Sequence, residues 1–256
     1  MKQSIDLNAD LGEGYGPWSM GDDTAMLGIV TSANIACGGH AGDPDTMFNT
    51  LAVAAKNNVV VGAHPGYADR AGFGRRIIPM LPDEMARMIA AQIGALTSIA
   101  RLVGVEVRYV KAHGALANLA ARDAGVARVL VDTIRQLDER LAILAISGTE
   151  IEHAARKTSA QVFSEVFADR GYQANGQLVP RSAPGALIHD PAEAADRLLG
   201  FLETGLMPVV DGASIPLAAD SICVHGDSPG AVDMTTQLRA RLLAAGVELA
   251  SFAALS

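Results

Sequence analysis

The chain has 256 residues, half of them hydrophobic, and a formal net charge of -8. This length favours one large α/β domain, and we predict a single catalytic domain over residues 1–256. No run of Lys and Arg interrupts the acidic composition, which argues against binding to a nucleic-acid backbone. No stretch has the length and apolarity of a leader or a membrane span, so we predict a cytoplasmic protein that binds no membrane.

In the first half of the chain, short apolar runs alternate with helical patterns. Asp43 followed by Pro44 predicts the N-cap and first turn of a helix that ends near Asn57. A second helix begins at Pro82 and keeps an apolar stripe as far as Val103. Loops rich in Gly or Arg follow the first and third strands. The predicted strands are residues 4–10, 32–37, 59–64 and 107–111.

The second half continues the alternation. Helices are predicted over about 114–139, from Asp190, and from Pro229 to about Ala245. Seven or eight β/α units in series, with no visible reversal of direction, favour a closed (β/α) barrel of mostly parallel strands over an open sheet. The predicted β segments are 141–146, 159–166, 207–210, 215–217, a strand ending at His225, and 247–249, with an irregular loop over 169–184.

Four of the six histidines, His40, His64, His113 and His225, lie at or just beyond the ends of apolar runs. The carboxyl ends of parallel strands share one edge of a barrel, and barrel enzymes bind their ligands there. These imidazoles are therefore expected at one site, where Asp227 is a candidate to orient His225. The remaining two histidines are interpreted as solvated or helix-capping residues.

The first strand carries Asp6, Asn8 and Asp10 at alternate positions. Side chains two residues apart share a face of a strand, so all three are expected to point into the barrel. A charged inner face at a strand end is costly unless it is paired or used in chemistry. We assign function to Asp10, and a structural hydrogen-bonding role to Asp6, which lies deeper.

Lys111 ends an apolar run, so it requires an anionic partner or a catalytic use. Arginines in the two irregular loops offer bidentate binding of a substrate carboxylate or phosphate. Ion pairs with Asp69 and Asp169 are the alternative for any one of them. These arginines are Arg70, Arg75, Arg76 and Arg170.

Asp10, His40 and His64 have donor types suited to zinc or another divalent ion, but their spacing does not establish a metal site. Cys37 and Cys223 are expected to be buried thiols rather than a disulfide. A phosphate-binding loop and a dinucleotide-binding GxGxxG are both absent from the sequence.

Five segments resemble the LamB/YcsF family, in the same order from the first strand to the last helix. They are DLNADLGEG (6–14), SANIACGGHAGDP (32–44), GAHPGY (62–67), KAHGAL (111–116) and CVHGDSPGA (223–231). This family is the A subunit of the bacterial ATP-dependent 5-oxoprolinase. The resemblance implies a β/α barrel related to polysaccharide deacetylases, hydrolysis of 5-oxoproline to glutamate coupled to ATP, and two partner subunits.

For the reaction that the resemblance implies, we expect this chain to open a lactam already activated by ATP, and we expect the nucleotide to bind together with the partner subunits. The loop from Gly12 to Gly16 is the alternative nucleotide site on this chain. Two other functions remain open, a metal-dependent deacetylase or amidohydrolase of acetylated carbohydrate and a non-catalytic small-molecule-binding regulator. The candidate catalytic residues are Asp10, His40, His64, Lys111 and His113, and the candidate substrate-binding residues are Asn8, Glu13, Arg75, Arg170, His225 and Asp227.

Overall fold

The computed structural model describes residues 4–225 and 230–253. Seven parallel strands form a closed barrel, because the last strand, Ser221–His225, pairs with both Val162–Phe167 and the first strand, Ser4–Leu11. The prediction of a parallel (β/α) barrel is confirmed, with seven strands in the closed sheet. These are β1 (Ser4–Leu11), β2 (Ser32–Ala36), β3 (Val60–His64), β4 (Val107–Val110), β5 (Ala142–Ile146), β6 (Val162–Phe167) and β9 (Ser221–His225).

Three short β segments lie outside the barrel wall. β7 (Leu206–Met207) and β8 (Ile215–Pro216) form a separate antiparallel pair. These two strands are shorter than the β segments predicted over 207–210 and 215–217. β10 (Glu248–Leu249) lies within the short final strand predicted over 247–249, and it pairs with the start of β1.

Eight helices of the described residues surround the sheet. Asp43 caps α2 by accepting hydrogen bonds from the backbone N–H groups of Asp45 and Thr46, as its position before Pro44 predicted. Within the described residues, no helix is both long and apolar enough to cross a membrane. The helices are α1 (Asp23–Leu27), α2 (Pro44–Lys56), α3 (Pro82–Leu102), α4 (Gly114–Ala120), α5 (Ala124–Leu137), α6 (Glu150–Arg156), α7 (Pro191–Thr204) and α8 (Ala231–Ala244).

The alternation along β1 separates two environments. Ile5, Leu7 and Ala9 belong to the apolar layer between sheet and helices. Asp6 faces the interior, where its carboxylate accepts hydrogen bonds from the hydroxyls of Ser32 and Ser221 on the neighbouring strands. Asp6 thus has the structural role assigned to it from the sequence, and burial raises its pKa to about 6.

A small apolar cluster fills the amino-terminal end of the barrel. Tyr109 is fully buried there, its ring 4.9 Å from that of Phe252 in the C-terminal segment. The Tyr109 hydroxyl donates to Asn34 Oδ1, which joins this apolar layer to the polar layer above it. The barrel interior is therefore packed at this end, and the cavity described below opens at its carboxyl end.

Close packing at Gly62 generates the first prediction. Gly62 pairs with Tyr109 across β3 and β4, and a Cβ at Gly62 would approach the Tyr109 ring more closely than 3.0 Å. We expect Gly62→Ala to lower the free energy of unfolding by about 1–3 kcal/mol, because the ring must move in a full core. Urea denaturation measures the change.

The matched control is Gly94→Ala in α3, where an added Cβ meets nothing within 4 Å. The same substitution should there raise the free energy of unfolding by about 0.5–1 kcal/mol, because it restricts the unfolded chain in a helix-compatible position. Equal effects at the two positions would contradict the packing described for Gly62.

Candidate active site

Polar side chains at the carboxyl ends of the barrel strands come together around one buried lysine. Lys111 follows β4, and its ammonium Nζ lies 2.8 Å from Asp10 Oδ1 and 2.9 Å from Glu165 Oε1. Cys223 Sγ is 3.0 Å from the same nitrogen. The sequence predicted an anionic partner for Lys111, and the structure provides two carboxylates, Asp10 on β1 and Glu165 on β6.

The charges in this group shift one another's pKa values in opposite directions. Burial disfavours the ammonium of Lys111, but the acidic groups around it, Asp10 first, raise its pKa well above the usual range. Burial raises the pKa of Asp10, but nearby His64 and Lys111 outweigh it and hold that pKa well below its ordinary value. Burial dominates at Glu165 and raises its pKa. Asp10 is therefore the carboxylate that stays ionised.

Asn8 and Asn34 fix the orientation of these carboxylates. Asn8 Nδ2 donates to Glu165 Oε1 at 3.0 Å, and Asn34 Nδ2 donates to Asp10 Oδ1 at 2.8 Å. Asn8 is fully buried and does not line the cavity. The Asn8 amide is engaged in holding the acidic groups, and its expected part in binding substrate stays a prediction.

His64 and His113 meet beside Asp10 with their rings nearly perpendicular. His64 Nδ1–H donates to the backbone oxygen of Lys111 at 2.8 Å, and His113 Nε2–H donates to that of Phe73 at 2.8 Å. Their other ring nitrogens lie 3.0 Å apart, and Asp10 Oδ2 is 3.3 Å from His64 Nε2. Burial lowers the pKa of His113 to about 3.

His40 lies behind this pair and contacts Glu13. Its ring stacks on His113 with centroids 3.5 Å apart, and its Nε2 lies 3.1 Å from Glu13 Oε1. Gly74 permits this stack, since it has a φ of +62° and a Cβ there would crowd His40 and His113. His40 does not line the cavity, and its contacts are with Glu13 and the ring of His113.

Four of these residues could hold a metal ion. Glu13, His40, His64 and His113 each offer one ligand atom, and the four atoms lie within 4.8 Å of one another. This set differs from the one expected from the sequence, which joined Asp10 to His40 and His64. Asp10 Oδ1 instead contacts Lys111 and Asn34.

A cavity of 560 Å³ opens over this group, and arginines and amides line its outer part. Arg75 and Arg170, the arginines expected to bind substrate, both line it. The Arg170 guanidinium donates to the backbone oxygens of Val179 and Ala186. Burial, followed by nearby Arg181, lowers the Arg170 pKa to about 10. Arg170 therefore both orders its loop and contributes positive charge to the cavity.

The other two loop arginines have different contacts. Arg76 forms an ion pair with Asp69, the alternative that the sequence left open. Arg70 lies over the ring of Tyr15 and donates to the backbone oxygen of Gly38. Neither lines the cavity.

His225 lines the cavity at the end of β9, as predicted, and its Nδ1 lies 2.8 Å from Asp169 Oδ2. Asp169, at the start of the second irregular loop, is therefore a carboxylate that orients this imidazole. Asp227, which the sequence suggested for that role, lies outside the described residues.

Sequence reasoning missed the orienting residues Asn34 and Asp169, and it missed Glu165 at the centre of the site. Glu165 is the only charged residue in the strand 162–167, and it is fully buried. The same argument that singled out Lys111, a charge within an apolar run, could have found it. Both cysteines are buried and free, as predicted.

A closed parallel barrel with buried acids, imidazoles and a lysine around its carboxyl-end cavity defines a barrel enzyme. The chain belongs to the LamB/YcsF family, whose model matches residues 5–256.

Relatives of the chain match over nearly their full length. One of the 5-oxoprolinase A subunits of Pseudomonas syringae pv. tomato is 48% identical over 251 residues, covering 98% of each chain. The 5-oxoprolinase A subunit of Mycobacterium avium is 49% identical over 97% of this chain and 98% of its own. The crystal structure of a lactam utilization protein from Thermus thermophilus superposes with a TM-score of 0.92 at 40% identity, covering 97% of this chain and 100% of that one.

Removal of the Lys111 ammonium generates the second prediction. We expect Lys111→Met to lower the free energy of unfolding by about 3–5 kcal/mol, because it leaves Asp10 and Glu165 buried without their shared cation. Glu165→Gln in the same chain should recover part of this loss, with a coupling energy of about 0.5–3 kcal/mol. Chemical denaturation of the single and double variants measures both values.

The control is Lys157→Met, which changes an exposed lysine at the end of α6 and should shift stability by less than about 0.5 kcal/mol. Additive effects of Lys111→Met and Glu165→Gln would show that the two groups do not share a charge interaction.

Proposed function

We propose that this chain hydrolyses the ring amide of 5-oxoproline to release glutamate, acting on a lactam that ATP has activated. The observation that carries the proposal is the Lys111–Asp10 pair at the floor of a cavity whose outer wall is rich in arginine. A small cyclic amide with a carboxylate needs a cationic clamp, a base and a stabilised oxyanion. The names of the relatives, which specify 5-oxoprolinase and lactam utilization, support the same substrate class.

Arg75 is the residue that we assign to the substrate carboxylate. It lines the cavity next to Phe73, whose ring its guanidinium overlies with 4.9 Å between the guanidinium carbon and the ring centroid. Arg170, held by backbone oxygens, adds positive charge nearby. The cavity exceeds what a five-membered lactam fills, which leaves space for a phosphoryl group on the ring oxygen.

We assign Asp10 as the general base that accepts a proton from the attacking water, an assignment supported by its position in the cavity lining and its lowered pKa. The water oxygen bonds to the ring carbon, and the C–N bond then breaks with its nitrogen leaving as the protonated amine. The resulting acyl phosphate is hydrolysed by a second water to glutamate and phosphate. Lys111 stabilises the negative charge that develops on the oxygen or phosphate.

The loop from Gly12 to Gly16 is a poor phosphate cradle on this chain. The N–H of Gly12 donates to Asp23 Oδ2, and the N–H of Gly16 donates to Asp43 Oδ2. These donors are engaged, and the carboxylates that engage them repel phosphate. This favours ATP binding together with partner subunits.

The partner surface is proposed at the carboxyl-end rim, on loops 11–21, 65–80 and 171–184. Two of these loops expose large apolar side chains, with Trp18 71% exposed and Ile77 47% exposed. An activated lactam that passes from partner to cavity is protected from water if the partner docks at this rim.

The third prediction tests the division of labour. The purified chain alone should release little glutamate from 5-oxoproline and hydrolyse little ATP. Both activities should appear together when the two partner subunits are added, because activation precedes ring opening. A coupled glutamate assay and phosphate release measure them, and full ATP-dependent turnover by the chain alone would refute a separate activating partner.

In the assembled enzyme, Asp10→Asn should lower kcat by about 100-fold or more, as expected for loss of a general base. His153→Ala is the control, because His153 lies half-exposed on α6, away from the cavity. Retained turnover in Asp10→Asn would remove Asp10 from the proposed mechanism.

Adjacent arginines give the fourth prediction. Arg75→Met should raise KM for 5-oxoproline by about 10- to 100-fold in the assembled enzyme, since a charge-assisted hydrogen bond contributes about 1.5–3 kcal/mol. Arg76→Met removes the neighbouring charge, which is bound to Asp69 outside the cavity, and should leave KM nearly unchanged. Equal effects would indicate a general charge effect rather than a carboxylate clamp.

A further inference from the structure

His64 and His113 are both fixed in their tautomeric form by backbone oxygens. A carbonyl oxygen only accepts hydrogen bonds, so His64 Nδ1 and His113 Nε2 must each carry a hydrogen. In the neutral rings, His64 Nε2 and His113 Nδ1 are then both lone-pair atoms. These two atoms face each other at 3.0 Å.

Carboxylate oxygens add to this concentration of acceptors. Glu13 Oε1 lies 3.5 Å from His113 Nδ1, and Asp10 Oδ2 lies 3.3 Å from His64 Nε2. Lone pairs at such distances repel one another unless a positive charge lies between them. The arrangement therefore calls for a cation at the point where the ring nitrogens meet.

We propose that Glu13, His64 and His113 bind one divalent transition-metal ion of the zinc class. Two imidazole nitrogens and one carboxylate form a set that zinc accepts, with a further position open to water. The ligand atoms are His64 Nε2, His113 Nδ1 and a carboxylate oxygen of Glu13. Binding of the ion does not depend on the proposed reaction, whereas its part in ring opening rests on that proposed function.

Ring orientation distinguishes the ligands from the remaining histidine. A metal ion lies in the plane of each imidazole that binds it. The rings of His64 and His113 are inclined at 89°, so their planes intersect and one ion can lie in both. The rings of His40 and His113 are parallel within 3° and 3.5 Å apart, so they have no common in-plane position. His40 is therefore excluded as a ligand in this arrangement.

Spacing between the ligand atoms also fits an ion. Metal–ligand bonds of about 2.1 Å place neighbouring ligand atoms roughly 3–3.5 Å apart. The separations of 3.0 Å between the two nitrogens and 3.5 Å between His113 Nδ1 and Glu13 Oε1 agree with this. A proton shared between the two imidazoles would need only two acceptors, and the third donor atom from Glu13 favours an ion.

Each proposed ligand has an orienting partner on its far side, as metal ligands in proteins usually do. Lys111 and Phe73 contribute their backbone oxygens to the two imidazoles. His40 Nε2–H donates to Glu13 Oε1, which makes His40 a positioning residue. Asp10 lies next to the ion, placed to take a proton from water held in the open position.

The fifth prediction is that the full-length chain, stripped with a chelator and incubated with Zn²⁺ or Co²⁺, retains one ion per chain. Elemental analysis measures the stoichiometry, and Co²⁺ should give visible d–d absorption in the absence of any substrate. A chain that retains no stoichiometric ion would overturn the proposal. A proton shared between His64 Nε2 and His113 Nδ1 would then account for their short separation.

Two variants remove a ligand atom while keeping the orienting hydrogen bond. In His64→Asn the side-chain amide keeps an N–H donor near the position of Nδ1, and in His113→Gln it keeps one near the position of Nε2. His64→Asn and His113→Gln should therefore lower metal affinity more than about 100-fold while retaining the native circular dichroism. His225→Asn is the matched control within the same cavity, since it keeps a donor to Asp169 and should bind the ion as the original chain does.

His40→Ala should lower affinity by about 10- to 100-fold, and His40→Gln, which restores a donor to Glu13, should recover it. Unchanged metal binding in both His64→Asn and His113→Gln would refute this site. Metal binding without glutamate release in the assembled enzyme would refute the proposed function and leave the metal site standing. Glutamate release by an enzyme that binds no metal would refute the metal site and leave the proposed function standing.

Discussion

A buried ammonium between two carboxylates is the constraint on which this site depends. Lys111 contacts Asp10 on β1 and Glu165 on β6, so one charge joins strands that are distant in the chain. Buried charges are tolerated only when they are paired and hydrogen-bonded, and Asn8 and Asn34 supply the further hydrogen bonds. The polar floor of the cavity is thus also part of the barrel's structure.

The asymmetry of this group sets its chemistry. Asp10 is ionised and lies at the cavity, whereas burial raises the pKa of Glu165. Carboxylates whose environments push their pKa values apart usually have different roles. Here Asp10 is an ionised acceptor at the cavity, and Glu165 beneath it is a structural partner of Lys111 and Asn8. The facing ring nitrogens of His64 and His113 lie beside the Asp10 carboxylate, and this group of acceptor atoms is the reason for proposing a cation next to it.

The apolar half of the barrel and its polar half serve different purposes. Tyr109 and Phe252 close the amino-terminal end, and Ile5, Leu7 and Ala9 attach β1 to the surrounding helices. This packed frame holds the strand ends in fixed positions, while the loops after them carry Arg75 and Arg170 to the cavity wall. Rigid strands for chemistry and loops for recognition are the usual division in barrel enzymes.

The sequence by itself determined the barrel, the helix that begins after Asp43, and the edge at which the functional residues meet. Hydrophobic periodicity and capping chemistry are local, and a charge such as Lys111 in an apolar run is conspicuous whatever surrounds it. Only the tertiary structure decided the partners. It showed that Glu165 pairs with Lys111, that Asn8 supports the acids, and that Arg76 pairs with Asp69. Distances between strands far apart in the chain follow from barrel closure and register, and no spacing along the sequence encodes them.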